Sequence, residues 1–185
     1  MLGLGLRREE ALALMWSDVD FGSHCVHVCR TNTLYGNDAV ISDDMKSAAA
    51  DRVVPMPKWV EAALKEARPQ SKSVYVAPAA DGSPMTKSSF RSMWAIIEAR
   101  TAKTPEELNT APKNAPWSVR TLDFEVHPHL LRHTCATRWI EDGLTVKEVQ
   151  YLLGHSSPTL TLKVYAHYDR AGELGATTQK IQALG

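Results

Sequence analysis

Apolar residues Leu12, Met15 and Trp16 recur at helical spacing from about Arg8 to Trp16. The pattern predicts an amphipathic helix whose first turn carries Glu9 and Glu10, at the end of the helix dipole that favours anions. Asp18 and Asp20 close it. From His24 to Arg30 the period becomes two: Val26 and Val28 take one face, and Cys25, His27 and Cys29 take the other, as in a strand. Leu34 to Ile41, around Gly36 and Asn37, predicts a second strand, and Asp51 to Met56 a third that Pro57 stops. Between them, Met45 to Ala50 reads as a turn of small residues carrying Lys46.

Beyond Pro57 the helical period returns. Val60, Ala63, Leu64 and Ala67 predict a helix over Lys58 to Ala67, with a proline ahead of it. Val74 to Ala77 is a short extended piece. Thr86 is placed to cap a helix through Phe90, Met93, Trp94 and Ile97 toward Ala102. From Thr104 to Pro128, four prolines interrupt regular structure. Helices follow at His129 to Asp142, Thr145 to Leu153 and Thr159 to Tyr168, with Gly143 and Gly154 at C-terminal ends; Tyr151 fits packing on the second of them. Residues 170–185 have weak periodicity and read as a docking tail. The expected fold class is α+β, mainly helical with a small antiparallel sheet.

The chain has 185 residues, 44% of them hydrophobic, about one domain. Lys plus Arg and Asp plus Glu both number 21, so no whole-chain field recruits nucleic acid or anionic membrane. Charge is unevenly spread: residues 1–45 carry 3 basic and 7 acidic groups, residues 46–103 carry 10 and 5, and residues 104–185 carry 8 and 9. The middle segment is therefore the candidate phosphate-contacting surface. Three cysteines make no disulfide framework, and no apolar run is long enough to span a membrane. The opening MLGLGLRRE has no signal-peptide pattern, and a cytoplasmic setting is expected.

A set of separated motifs carries the chemistry: Gly5-Leu6-Arg7-Arg8-Glu9-Glu10, Lys46 ahead of Arg52-Val53-Val54-Pro55, His129-Leu130-Leu131-Arg132-His133, Leu153-Gly154-His155 and Tyr165-Ala166-His167. In kind and order they resemble the catalytic domain of the tyrosine recombinases, the phage-integrase family, over nearly the whole chain. The resemblance implies DNA strand cleavage by transesterification. Tyr165 matches the nucleophile that forms a 3′-phosphotyrosyl link as the 5′-hydroxyl leaves. Arg7 and Arg132 match the arginines that bracket the scissile phosphate, a role suited to permanently charged forks. Lys46 matches the hairpin lysine that protonates the leaving oxygen, His129 a proton-transfer histidine, and His155 a third phosphate donor. Glu10 matches an acidic position assigned to orienting an arginine.

Taken singly, each residue also fits an ordinary role. Arg7 and Glu10 suit a surface i,i+3 pair, Lys46 a solvated turn, His129 a helix cap after Pro128, and Tyr165 a packing residue. Tyr168 lies one turn from Tyr165 but fits the family motif less well. Arg8 and Arg138 read as salt-bridging or DNA-facing. Cys25, His27 and Cys29, or His127, His129, His133 and Cys135, have no common zinc spacing, so no metal is expected. No cofactor is implied, because the phosphotyrosyl ester conserves the phosphodiester bond energy. The implied partners are double-stranded DNA and further copies of the chain on it, with no membrane. The expected role is integration or recombination of a mobile genetic element, in the DNA-associated cytoplasm. Because the chain opens almost at Arg7, it reads as an N-terminally truncated catalytic domain. A catalytically silent DNA-binding or assembly module and a type IB topoisomerase-like relaxing activity are the competing readings.

Overall fold

Hydrogen bonding joins the alternating stretches into two small antiparallel sheets where one was expected. The structure, a computed structural model, describes residues 1–35, 38–43, 50–101 and 126–155. Strands β1 (Val19–Asp20), β2 (Cys25–Val28) and β5 (Arg52–Pro55) lie in that order in one sheet. Val26 faces Val54 and Val28 faces Arg52. All four point inward and are buried, so an arginine occupies a place where the pattern calls for an aliphatic side chain. The second sheet is a hairpin of β3 (Thr31–Tyr35) and β4 (Asp38–Ser42), paired from Thr31 with Ser42 to Tyr35 with Asp38. The single strand expected over Leu34 to Ile41 is thus two. Gly36 and Asn37, of the types that two-residue hairpin connections favour, lie outside the described residues, as does Lys46.

Helix α1 (Arg8–Ala13) ends sooner than its apolar spacing suggests. Leu14 is extended, and the chain here pairs with Val74 to Val76: Trp16 N–H donates to the Val74 carbonyl at 2.9 Å and Val76 N–H to the Leu14 carbonyl at 2.8 Å. These backbone bonds outcompete another helical turn, and Trp16–Asp18 form a single 3-10 turn instead. Helix α2 spans Lys58–Ala67 and α3 Lys87–Thr101, with Thr86 Oγ1 accepting from Ser89 N–H at 3.2 Å. Helix α4 is Pro128–Glu141 and α5 is Val146–Leu153. The cap of α4 is His127, whose Nδ1 accepts from Leu130 N–H at 3.1 Å, and not His129. Thr145 and Glu148 cap α5 reciprocally.

Three apolar clusters hold these elements together. Leu4, Leu6, Leu14, Val26, Val28, Val54 and Val60 join the chain start to the first sheet and α2. Leu12 of α1 packs with Met85, Phe90, Trp94 and Val126, and Ala136, Ile140, Val149 and Leu153 join α4 to α5. Each fully buried Leu or Val contributes about 1.5–3 kcal/mol. Their combined effect is to clamp α1 between the sheet and α3, with the start of α4 and the end of α5 beside it. Tyr151, expected to pack, is 60% exposed. The helix expected over Thr159 to Tyr168 and the tail at 170–185 lie outside the described residues. Among the described residues no helix is long and apolar enough to cross a membrane.

Candidate functional site

The last carbonyls of a helix lack intrahelical donors and sit at the negative end of its dipole. At the end of α5 three successive carbonyls find three different guanidiniums. Arg52 Nε donates to the Leu152 carbonyl at 2.7 Å, Arg132 Nη2 to Leu153 at 2.6 Å, and Arg7 Nη2 to Gly154 at 2.8 Å. Gly154 ends the helix in the left-handed region, φ 63°, a conformation that a side chain disfavours. That turn sets the direction of the last carbonyl and carries the chain to His155, whose N–H returns to the Gln150 carbonyl at 3.1 Å.

A single carboxylate gathers the same three arginines from the other side. Glu10 accepts from Arg52 at 2.8 and 3.1 Å, from Arg7 Nη1 at 2.7 Å and from the Arg7 backbone N–H at 2.8 Å. Arg132 Nη1 lies 3.8 Å from it and donates to the Gly5 carbonyl at 2.5 Å. Glu10 is 1% exposed and Arg52 0%, so Glu10 sits in a buried node and not in the ordinary surface pair that it and Arg7 could also have made. Burial opposes the charge on Glu10, but the hydrogen bonds and charge of Arg52, then those of Arg7, outweigh it and hold the carboxyl below its ordinary range.

On the outer side of this node lies a cleft of about 620 Å³, lined by Leu6, Arg7, Arg8, Glu9, His127, His129, Arg132, His133 and His155, among others. The Arg7 side chain is 37% exposed there, and that of Arg132 is 6%. Burial, then the charge of Arg7, pushes Arg132 down to about 10, which leaves it charged at neutral pH. Burial, then Arg132, Arg7 and Arg52, pushes His155 down to about 4, so it meets the cleft as a neutral imidazole. The His129 and His133 rings meet edge to face, centroids 4.9 Å apart. Three guanidiniums against one carboxylate leave the cleft wall with unbalanced positive charge, fixed before any ligand arrives, which is the arrangement an anion of phosphate type needs.

Of the residues singled out in the sequence, the structure brings Arg7, His129, Arg132 and His155 to this cleft and sets Glu10 behind Arg7. Lys46 and Tyr165 lie outside the described residues. Arg52 stood in the motif after Lys46 but was given no role; it is turned inward, and its signal was an arginine in the apolar register of a strand. His133 and Gly5 stood in the quoted motifs without a role at the site. Arg8 does form a salt bridge, to Glu9 at 2.6 Å, and sits over the Phe90 ring. His27 pairs with Asp51 at 2.7 Å. Among the described residues no group of three or more His, Cys, Asp or Glu is arranged to hold a metal.

A family model described as the phage integrase family matches residues 1–171. The chain is 32% identical over 174 residues to the tyrosine recombinase XerD of Corynebacterium glutamicum, covering 90% of this chain and 45% of that protein. It is 26% identical over 169 residues to the tyrosine recombinase XerC of Pediococcus pentosaceus, covering 90% and 47%. It therefore spans less than half the length of these relatives. Among solved structures it is similar to the Tn1549 transposon integrase in complex with circular intermediate DNA, with a TM-score of 0.74 and 25% identity, over 100% of this chain and 57% of that one. XerA recombinase shares the fold, with a TM-score of 0.64 and 22% identity over 97% of this chain and 53% of that one.

Proposed function

Because the chain belongs to the phage integrase family of tyrosine recombinases, we propose that it cuts and rejoins DNA strands through a covalent phosphotyrosyl intermediate. The observation that carries this reading is the unbalanced guanidinium cluster on the cleft wall, with Arg7 and Arg132 each held by groups behind it. Held forks lose little freedom when a phosphodiester binds, and their charge grows in value as the phosphorus becomes five-coordinate and its oxygens gain charge.

The step balances without a cofactor. The Tyr165 oxygen attacks phosphorus, the bond to the 5′-oxygen breaks, and a 3′-phosphotyrosyl ester forms. A phenol with an ordinary pKa of about 10 is a weak nucleophile, so its proton passes to a base, for which His129 on the cleft rim is the candidate. Lys46 donates a proton to the departing 5′-oxygen. Attack by another 5′-hydroxyl reverses the sequence and releases the tyrosine. His155, neutral before DNA binds, donates its ring N–H to a phosphate oxygen; the incoming negative charge opposes the cations that depress its pKa. The partner is double-stranded DNA, with further copies of the chain assembled on paired sites.

The test is covalent trapping on nicked suicide duplexes built from the ends of the element that carries the gene, comparing the wild-type chain with Tyr165→Phe. A gel-stable protein–DNA adduct from wild type alone is expected. An adduct that persists in Tyr165→Phe overturns the assignment of the nucleophile, and its absence from a folded, DNA-bound wild type makes the chain a silent binding module.

A further inference from the structure

Arg52 lies behind the cleft and contacts both the carboxylate and the helix end that hold its arginines. Its Nε holds the Leu152 carbonyl, one residue before the carbonyl that holds Arg132 and two before the one that holds Arg7. Its two terminal nitrogens occupy both oxygens of Glu10. Nη1 also holds the carbonyl of Ala50, four residues after Lys46. A lone arginine in a strand's apolar register is costly to bury, and its retention asks for a reason beyond the sheet.

We propose that Arg52 is a positioning residue for strand cleavage, one that saturates Glu10 so that Arg7 and Arg132 keep their charge and aim toward the scissile phosphate; this rests on the reading of the cleft given above. The competition is geometric. Arg132 Nη1 is 3.8 Å from a Glu10 oxygen, just beyond a hydrogen bond. While Arg52 fills that carboxylate, Arg132 stays on the Gly5 and Leu153 carbonyls. Without Arg52, Glu10 keeps only Arg7 of its two bonded guanidiniums, and its remaining charge draws Arg132 inward and offsets it.

Loss of partners that orient a site's contacting groups typically costs about 10- to 100-fold, and small misplacements reach about 100-fold. The test uses the full chain as wild type, Arg52→Gln, Arg52→Lys and Val54→Ala; the last removes buried side chain from the same strand with no contact to Glu10. Each is assayed well below its own melting temperature. Two readouts are taken: the dissociation constant for inorganic phosphate, followed at the histidine side-chain resonances by NMR, and the single-turnover rate of adduct formation at saturating DNA. The second is measured on duplexes with either a phosphodiester or an uncharged methylphosphonate at the cleavage position.

Arg52→Gln is expected to weaken phosphate by about tenfold or more and to slow cleavage of the phosphodiester by about 100-fold. Its deficit should shrink on the methylphosphonate, which asks less of Arg7 and Arg132. Arg52→Lys, which keeps the charge and loses the fork, should fall between, and it carries the test alone if Arg52→Gln does not fold. Val54→Ala should change neither readout. The inference is overturned if the Arg52 variants match Val54→Ala in both, if their deficit is equal on charged and uncharged substrates, or if folded wild type binds no phosphate. If wild type makes no adduct yet its phosphate binding depends on Arg52, the cleavage reading fails while Arg52 remains the organiser of the anion site.

Discussion

The two sides of the cleft are built on opposite terms. Behind it, Arg7, Arg52 and Arg132 are each bonded to a helix-end carbonyl, and Arg52 and Arg7 also to Glu10. On its rim, His127, His129 and His133 belong to the exposed first turns of α4, and ring contacts or a single cap bond are what the structure gives them. The buried side supplies a field that costs nothing to arrange when substrate arrives. The rim supplies exposed imidazoles, a side-chain type suited to passing protons. Fixed charge and mobile protons are separate tasks, and the proposed mechanism assigns them to separate walls. It follows that changes behind the cleft should damage stability and activity together, whereas changes on the rim should leave the fold intact.

The largest expected effect comes from Glu10→Ala. It leaves the fully buried Arg52 without its anion and removes the partner that fixes Arg7. Breaking a buried ion pair from one side costs about 3–5 kcal/mol, which for a chain of this size lowers the melting temperature by roughly 10 °C or more. Calorimetry checks it. The contrasting change, His129→Ala on the rim, should stay within about 0.5 kcal/mol of wild type while slowing adduct formation. A His129 variant that destabilises as strongly as Glu10→Ala would remove the distinction between the two walls.

The next effect sharpens the same contrast with a matched pair of glycines. Gly154 and Gly143 both follow helices with positive φ, 63° and 95°, so alanine at either is strained by about 1–2 kcal/mol. Gly143 has no atom within 4 Å of an added Cβ and lies away from the arginines. Gly154 directs a carbonyl at Arg7. Gly154 is buried and Gly143 exposed, so thermal melts should show at least as large a loss for Gly154→Ala as for Gly143→Ala, while adduct formation, measured below both melting temperatures, should fall only in Gly154→Ala. Equal activities would mean that the helix-end carbonyls do not set the aim of the arginines.

How much of this was legible in the chain follows the same division. Helical and strand periods located α2, α3, α4, α5 and β2 to within a few residues, because their apolar stripes are what the core selects. The resemblance of the motifs to the phage-integrase family singled out Arg7, Glu10, Lys46, His129, Arg132, His155 and Tyr165, of which the structure gathers Arg7, His129, Arg132 and His155 at the cleft with Glu10 behind Arg7, while Lys46 and Tyr165 lie outside the described residues. Three things did not follow. The early end of α1 depends on Val74 and Val76, some 60 residues away, and no local period reports such pairing. The division into two sheets depends on which strands pair across the fold. Arg52 escaped because its importance lies in what faces it: carbonyls and a carboxylate delivered by α1 and α5. Its one local sign, a charge at an inward strand position, carries meaning only once the partner strand fixes which positions face in.

A smaller effect belongs to the start of α4. His127 caps the helix through Nδ1, and losing a cap costs about 1 kcal/mol. Equilibrium unfolding of His127→Ala should show that loss, and His127→Asn, a strong capping type, should recover it. This change belongs to the rim yet touches a helix end, so it marks the limit of the division: on that wall it is the backbone bond, and not the imidazole's charge, that the fold uses.

The smallest effect, and the one that reads the electrostatics directly, is the pH dependence contributed by His155. Its folded pKa is about 4, against about 6.5 for an unperturbed histidine. Between those values the unfolded chain binds a proton that the folded chain refuses, so stability rises with pH across the window. The contribution is whole above about 6.5 and is lost as pH falls toward 4. Burial and the three arginines cause the refusal, and because the residue is only partly buried the measured slope should be shallow. His133, also depressed by burial and by His129, adds to the same window, while Glu10 acts only lower, in the carboxylate range. Melting temperature against pH should therefore flatten in His155→Gln without becoming level. In Glu10→Ala, where the arginines lose the anion they share, the slope that His155 retains should steepen. An unchanged profile in His155→Gln would show that the field of the buried wall does not reach the cleft.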